Sequence, residues 1–242
     1  AKKWGFEKSF TNGVYENAGK VDGRCKWESS GLFFKSLGWR YKRIRRRPGK
    51  KPDPELLAIK KEQLALLEHQ SEMGHIDLFY GDETGVSELA YVPYGWQGKD
   101  EDLAIEANRG KQLNCFGILS RDNYLFSKTT TGSINADFIV AFFEQYSFDI
   151  TKQTVVVLDN ARIHTAQKVR ERIKFWQQRG LYIFYLPPYS PHLNIIERLW
   201  KELKARWLKP EDYRSFDSLK YATINCLNNF GSKLKINFTK YS

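Results

Sequence analysis

The sequence predicts an α/β protein built on a mixed β-sheet with helices on both faces. From about residue 75 to residue 129, short stretches of alternating apolar residues dominate, which favours neighbouring antiparallel strands. From residue 135 onward, helical patterns alternate with continuous apolar stretches, which is typical of β-α-β units with parallel strands. A sheet that joins both halves is mixed. The 242 residues allow one large domain, alone or with an appendage.

The first elements are predicted from a helix cap and from alternation. A helix is expected at 52–73, because Asp53 can cap it and a proline follows at the first helical position. The next segment, 76–82, alternates apolar residues in the manner of a half-buried strand. This alternation puts Asp82 on the apolar face of the strand and Glu83 on the opposite face.

A hairpin and a helix follow in the predicted order. Strands at 112–119 and 123–129 are separated by turn-forming residues at 120–122, which indicates an antiparallel hairpin. A helix at 135–147 begins with Asn135 as its cap and carries aromatic residues along one stripe. These elements complete the antiparallel half of the sheet and supply one covering helix.

The last part of the chain alternates strands and helices. Continuous apolar stretches at 154–159 and 181–186 are typical of buried strands, and a helix at 165–179 separates them. A further helix at 193–207 carries apolar residues at three- and four-residue steps. A final helix is predicted at 216–230, because a glycine follows its last apolar turn.

The positive charge of the chain is concentrated at one end. Residues 1–51 carry 15 Lys and Arg and 4 Asp and Glu, a net charge of +11 that equals the net charge of the whole chain. Such a segment neutralises nucleic-acid phosphates without reading their sequence. The alternative is a solvated, disordered basic arm that binds anions indiscriminately. The candidate DNA-binding residues are Arg40, Lys42, Arg43, Arg45, Arg46, Arg47, Lys50 and Lys51.

Several other classes of protein are disfavoured by composition. The three cysteines are odd in number and scattered, which indicates a reducing compartment without a disulfide framework. No cysteine and histidine stand at the spacing of a zinc site. No apolar stretch approaches the roughly 20 residues of a membrane span, and no signal peptide is recognisable. We therefore expect a cytoplasmic protein that does not interact with membranes.

Three carboxylates are the candidate catalytic residues. Asp82 and Asp159 stand at the predicted ends of apolar strands, and Glu197 lies near the start of a helix. Ligand sites of open α/β sheets form at the carboxyl ends of strands, so these acids can converge there. An all-oxygen site of this kind suits Mg²⁺ or Mn²⁺ and phosphodiester chemistry. On this hypothesis Asp82 bridges two ions, Asp159 holds one of them and Glu197 holds the other.

Each carboxylate also has an ordinary structural interpretation. An aspartate after a strand is often a loop cap, and the pair Asp159–Asn160 also suits a turn. Glu197 stands four residues before Lys201, at the spacing of a surface ion pair. What favours a shared site is the local sequence around each acid.

Those local sequences resemble a known family of enzymes. They are Gly81-Asp-Glu-Thr-Gly85, Leu158-Asp-Asn-Ala-Arg-Ile-His164 and Leu186-Pro-Pro-Tyr-Ser-Pro-His-Leu-Asn-Ile-Ile-Glu197. Together they resemble the catalytic core of the DDE transposases of the mariner superfamily, in particular its bacterial insertion-sequence 630-like group. The resemblance implies a ribonuclease H-like fold. It further implies that Asp82, Asp159 and Glu197 bind two Mg²⁺ or Mn²⁺ ions for cut-and-paste DNA transposition of a mobile element.

Further residues are assigned by position within the matching motifs. Asn160 and His164 match the family block and are expected either to orient Asp159 or to contact DNA; a structural hydrogen bond is the alternative for His164. Asn194 stands one turn before Glu197 and is expected either to support the site or to cap the helix. Lys201 and Lys204 share the Glu197 side of the helix, where a solvated face is favoured over phosphate contact.

The resemblance also implies an organisation and partners. Residues 1–51 are expected to be a basic DNA-binding segment, the shortened remnant of a helix-turn-helix domain; residues 52–74 a linker helix; and residues 75–242 the catalytic domain. The expected partners are the double-stranded DNA of transposon ends and target, bound by a homodimer in the bacterial nucleoid. Two alternatives stay open at this point: a catalytically silent DNA-binding remnant, and a ribonuclease H-like nuclease without strand transfer.

Overall fold

The computed structural model describes residues 53–88 and 110–238. All of these residues belong to one compact unit, Pro48–Ser242. The predicted DNA-binding residues Arg40, Lys42, Arg43, Arg45, Arg46, Arg47, Lys50 and Lys51 lie outside the described residues. The domain boundaries given above therefore stay a prediction.

A single five-stranded sheet forms the centre of the described unit. Its strands are β1 (Asp77–Ser87), β2 (Gln112–Leu119), β3 (Leu125–Thr130), β4 (Thr154–Leu158) and β5 (Leu181–Tyr185), in the order β3-β2-β1-β4-β5. The pairs β1–β2 and β2–β3 are antiparallel, whereas β1–β4 and β4–β5 are parallel. The predicted mixed sheet is confirmed, and β1 is the strand at which the two halves meet.

Strand β1 is longer than its sequence pattern predicted. It pairs with β4 only from Asp77 to Tyr80, but continues beside β2 as far as Ser87. Asp82 therefore lies inside the strand and not at its end, which corrects the predicted boundary. The continuation is stabilised by the ladder to β2 and by burial of Val86, whose side chain is 2% exposed. Asp82 stands just past the point where β1 loses its parallel partner.

Five α-helices cover the sheet in the described residues. They are α1 (Pro54–Glu72), α2 (Ala136–Phe148), α3 (Gln167–Gln178), α4 (Ile196–Glu202) and α5 (Phe216–Asn229). The two predicted caps are confirmed: the Asp53 side chain accepts a hydrogen bond from the Glu55 amide at 3.0 Å, and the Asn135 side chain accepts one from the Phe138 amide at 2.9 Å. None of the described helices is long and apolar enough to cross a membrane.

The helix predicted at 193–207 is divided into three shorter pieces. A 3₁₀ turn, Pro191–Leu193, precedes α4, and a π-helical turn, Leu203–Trp207, follows it. The apolar period gave the correct buried face, but it does not distinguish an α-helical turn from a π turn. Single π turns widen a helix locally and occur frequently at functional sites.

Helices lie on both faces of the sheet, as predicted. Alternation along β1 sends Leu78 and Tyr80 to one face, where they pack with α1, α4 and α5. The odd-numbered Phe79 lies on the other face with Phe116, against α2 and α3. The same alternation places Asp82 on the α4 face and Glu83 on the α2–α3 face. The two neighbouring acids therefore enter different environments.

We predict that Gly81→Ala destabilises the fold. A Cβ at this position would stand 2.7 Å from Leu158 Cδ2 and 3.1 Å from Ile118 Cγ2, and both neighbours are fully buried. Overpacking of this kind costs about 1–3 kcal/mol in the free energy of unfolding, measured by urea denaturation. Gly132→Ala is the matched control, because its nearest neighbour, Thr130 Oγ1, is 3.5 Å away. Equal stability of the two variants would contradict this packing argument.

Candidate active site

Three elements deliver the three predicted acids. Asp82 belongs to β1, Asp159 directly follows β4, and Glu197 is the second residue of α4. Because β1 and β4 are parallel neighbours and α4 packs on the face to which Asp82 points, the topology directs all three toward one region. The side chain of Asp159 is 52% exposed at this edge of the sheet.

The acids are close enough to change one another's ionisation. Burial, followed by the negative charges of Glu83, Glu197 and Asp159, raises the pKa of Asp82 to about 8. Burial also raises the pKa of Glu197, and the charge of Asp159 adds to this effect, although Lys204 and a hydrogen bond with Asp82 oppose it. The raised pKa values of both groups therefore favour a proton held between Asp82 and Glu197 near neutral pH.

An open cavity of about 410 Å³ adjoins two of the acids. Asp82 and Glu197 line it, whereas Asp159 lies outside its lining and interacts with both through its charge. The other lining residues are Glu83, Thr84, Gly85, Trp200, Lys201 and Lys204. The cavity therefore combines carboxylates and ammonium groups, which is the chemistry needed to hold a phosphate beside a cation.

Lys204 differs from its sequence interpretation. The predicted solvated face is wrong for this residue, because its side chain is half-buried and lines the cavity with the acids. Burial lowers the pKa of Lys204, although the charges of Glu197, Cys115 and Asp82 oppose that shift. The π-helical turn Leu203–Trp207 contains this lysine directly after α4. Lys201 also lines the cavity, but it is exposed.

Asp159 is held on one side by two donors. Its Oδ1 atom accepts hydrogen bonds from the Ala161 amide at 2.9 Å and from His164 Nδ1 at 2.7 Å. Burial would raise the pKa of Asp159, but these hydrogen bonds and the charge of His164 outweigh it and lower the pKa. The pKa values of Asp159 and Asp82 are thus shifted in opposite directions.

His164 is fully buried, with no exposed surface. Its Nε2 atom lies 3.3 Å from Glu83 Oε2, close enough for an ion pair but without the alignment of a hydrogen bond. Burial would lower the pKa of His164, but hydrogen bonding and the charges of Asp159 and Glu83 raise it to about 9. The ring has no exposed surface, and its Nδ1 partner is Asp159, which is the contact expected of a residue that orients this acid.

Asn194 contacts both the strand of Asp82 and the first turn of α4, but Ile195 and not Asn194 is the cap residue of this helix. Its Nδ2 atom donates a 3.0 Å hydrogen bond to the carbonyl of Gly81, the residue before Asp82. Its Oδ1 atom accepts from the Ile196 amide at 3.4 Å, at the start of α4. The buried amide therefore links the helix that carries Glu197 to the strand that carries Asp82.

Asn160 acts on the backbone and not on the acids. Its side chain donates to the carbonyl of Leu186, just past the end of β5. The bond joins the loop after β4 to the loop that leads toward α4.

Within the loop that leads toward α4, Tyr189 has a positive φ of 61°, a strained conformation for a residue that is not glycine. Such strain persists only where surrounding contacts enforce the conformation.

Two residues near the acids were missed by reasoning from sequence. Glu83 was placed on the far face of β1, which is correct, but its contact with His164 depends on the tertiary path of the loop after β4. The sequence pattern favours a solvated position for Lys204, because it gives no sign of the π turn. For Glu83 the available signal was its adjacency to Asp82 within a matching motif.

The donor set fits a hard divalent cation. The described residues contain no group of three His, Cys, Asp or Glu side chains already arranged to hold a metal ion. The negative charge of Asp159 nevertheless helps to raise the pKa values of Asp82 and Glu197, which indicates an excess of negative charge in this region. Carboxylate oxygens are the ligands that Mg²⁺ and Mn²⁺ prefer. The assignment of these residues as metal ligands stays a prediction.

The fold and the site define a class of protein. A mixed sheet of this strand order, flanked by helices and carrying acids on β1, after β4 and on α4, is a ribonuclease H-like fold. Residues 77–220 match the family described as DDE superfamily endonuclease. The match covers more than half of the chain, and the chain belongs to this family.

Two solved structures are similar to this chain in fold. The fold is similar to the Mos1 strand transfer complex, with a TM-score of 0.54 and 15% identity over 96% of this chain and 76% of that one. It is also similar to the Mos1 mariner paired end complex with Mn, with a TM-score of 0.51 and 14% identity over 94% of this chain and 72% of that one. At this identity the likeness concerns the fold.

A curated relative is more similar in sequence but covers less of the chain. The uncharacterized protein y4pE/y4sA of Sinorhizobium fredii (strain NBRC 101917 / NGR234) is 27% identical over 73 residues. The match covers 30% of this chain and 50% of that protein, so the chain spans about half the length of this relative.

We predict that Asp82→Asn stabilises the protein in the absence of divalent cations. The pKa of Asp82 is about 8 in the folded state and has the ordinary value of 3.8 in the unfolded state. Between these values the folded protein keeps a proton that the unfolded chain has lost, so the wild type loses stability as the pH rises from about 4 to about 8. The neutral variant avoids this loss and is therefore more stable than the wild type near neutral pH.

Denaturation in EDTA at several pH values measures the effect. The control is Asp137→Asn, which removes an exposed ion pair with Lys168 and changes stability by at most about 1 kcal/mol. A gap between wild type and Asp82→Asn that does not widen between pH 4 and pH 8 would show that this carboxyl ionises normally.

Proposed function

We propose that the chain is a DNA transposase that cuts phosphodiester bonds with divalent cations and then joins the freed 3′-hydroxyl to target DNA. The observation that carries this proposal is the convergence of Asp82, Asp159 and Glu197 from three separate elements, with the charges of all three coupled. Membership in the DDE superfamily endonucleases gives the general class of reaction, and strand transfer is the finer part of the proposal.

Asp82, Asp159 and Glu197 are the residues that would hold Mg²⁺ or Mn²⁺. Such ions, when bound, neutralise charge on the scissile phosphate and activate the attacking oxygen. The Mos1 paired end complex with Mn supports the choice of metal, since its fold is similar to that of this chain. A protein side chain is then not needed as the general base, and the acids serve as ligands.

The lysines of the cavity suit the substrate backbone. Lys204 and Lys201 line the cavity together with Asp82 and Glu197, where an ammonium group can neutralise a phosphate oxygen. His164, held as a cation by its two acidic partners, keeps Asp159 ionised. Asp82 would release its proton to water if a bound cation compensated the negative charge beside Glu197. Each of these residues therefore has a distinct part in binding or in proton placement.

The partners proposed for the chain are DNA ends and target DNA. The basic residues of 1–51 suit phosphate neutralisation, and the similar Mos1 structures include a strand transfer complex and a paired-end complex with a transposon end. We further propose that a homodimer bridges two ends and that the chain acts on bacterial DNA as a member of the insertion-sequence 630-like group. A dimer gains affinity by linking two weak contacts.

Plasmid nicking tests the cutting reaction. We predict that the protein nicks supercoiled plasmid in the presence of Mn²⁺ or Mg²⁺, and that EDTA abolishes the reaction. Asp82→Asn, Asp159→Ala and Glu197→Gln should each lower the rate by at least about 100-fold, because each removes a proposed metal ligand. Glu202→Gln is the matched control on α4, since Glu202 pairs with Arg206 instead of with the acids. Nicking that survives in Asp159→Ala would contradict the assignment.

Strand transfer requires a separate experiment. We predict that a duplex with a pre-cut 3′-hydroxyl end becomes joined to plasmid, because the same acids can position that hydroxyl as the nucleophile. Sequencing of the joined products would give the target site. Nicking without any joined product, across candidate end sequences, would identify a ribonuclease H-like nuclease instead. Stoichiometric DNA binding that neither metal nor the acid variants affect would identify a catalytically silent remnant.

A further inference from the structure

We propose that Glu83 and His164 form a positioning bridge that fixes Asp159 relative to β1, so that Oδ2 of Asp159 is the atom left for a cation. This inference rests on the proposed function of Asp159 as a metal ligand. Glu83, which has no part in the motif-based assignment, acts together with His164 as one unit.

Asp159 is held through only one of its two carboxylate oxygens. Both hydrogen bonds that reach this carboxylate end on Oδ1, one from the Ala161 amide and one from His164 Nδ1. No described residue donates a hydrogen bond to Oδ2. A carboxylate held in this way has a fixed plane and one free oxygen, which is the geometry of a monodentate ligand with an oriented outer partner.

His164 is itself held in place by packing and by its main chain. The ring has no exposed surface and packs beside Phe116, with 5.8 Å between ring centroids. Its backbone carbonyl accepts a 2.8 Å hydrogen bond from the hydroxyl of Tyr185 on β5. The imidazole is therefore fixed by packing, by its main chain and by acidic groups at both nitrogens.

Glu83 connects His164 to Asp82. Glu83 Oε2 lies 3.3 Å from His164 Nε2, and the Glu83 amide donates a 2.8 Å hydrogen bond to Oδ1 of Asp82. Glu83 therefore contacts Asp82 through its main chain and reaches toward Asp159 through His164. The two proposed metal ligands are joined by a continuous chain of contacts.

The position of this chain in the sheet explains the need for it. Backbone pairing between β1 and β4 ends at the pair Tyr80 and Val157, two residues before each acid. Beyond that pair, no ladder hydrogen bond fixes the distance between the strands. The bridge from Glu83 to His164 to Asp159 lies just past this point and takes the place of the missing ladder.

Mn²⁺ binding tests the bridge without relying on catalysis. Free Mn²⁺ is counted by electron paramagnetic resonance during titration of the whole chain. We expect His164→Ala to raise the Kd for Mn²⁺ about 10–100-fold, as is usual when an outer partner of a ligand is removed. His164→Asn should recover part of the affinity, because its amide can still donate to Asp159. Glu83→Ala should weaken binding, and Glu83→Gln, which keeps an acceptor oxygen, should weaken it less.

A double-mutant cycle distinguishes a bridge from two independent effects. If Glu83 acts only through His164, adding Glu83→Ala to His164→Ala causes no further loss of Mn²⁺ affinity. Effects that add in the double variant would overturn the proposal. The control for lost packing is Val169→Ala, which removes a buried side chain of the same apolar cluster and should leave Mn²⁺ affinity unchanged.

The outcome also separates this inference from the proposed function. Asp159→Ala should abolish tight Mn²⁺ binding and nicking together. If wild type binds no Mn²⁺, or if Asp159→Ala binds it equally well, the proposed function fails. If Asp159→Ala loses binding while His164→Ala and Glu83→Ala bind like wild type, the function stands and the bridge is overturned.

Discussion

The crowding of carboxylates at one edge of the sheet is the constraint on which the rest of the site depends. A buried acid beside other acids is unstable in its ionised form, and the pKa of about 8 for Asp82 expresses that cost. Proteins seldom keep such a cluster for stability alone. The arrangement is understandable if a cation normally compensates the charge, and Lys204 compensates part of it from within the chain.

Polar contacts between backbone segments keep the acids at this position. Asn194 ties the start of α4 to the carbonyl before Asp82, and Asn160 ties the loop after β4 to the segment past β5. His164 supplies the third contact, between the loop after β4 and β1. All three side chains come from the two motifs that contain Asp159 and Glu197. The motifs therefore carry both the proposed ligands and the groups that hold them.

Much of this organisation follows from the sequence, because its causes are local. Alternation along β1 correctly separated the faces of Asp82 and Glu83, and the caps at Asp53 and Asn135 followed from residue type. The extent of β1 did not follow, since the ladder to β2 decides it. The π turn that contains Lys204 and the contact between Glu83 and His164 also depend on tertiary packing. A single sequence records neither of these.

The site is asymmetric before any cation or DNA is considered. Hydrogen bonds from His164 and Ala161 keep Asp159 ionised, whereas burial and its acidic neighbours keep Asp82 protonated near neutral pH. Environments that shift paired acids in opposite directions commonly indicate different roles. On the proposed function, the exposed, oriented and ionised Asp159 would be a ligand that needs no loss of a proton. The buried Asp82, whose pKa is raised, would have to lose its proton before it could serve as a ligand. This division follows from the two faces of β1 and from the point where β4 stops pairing with it.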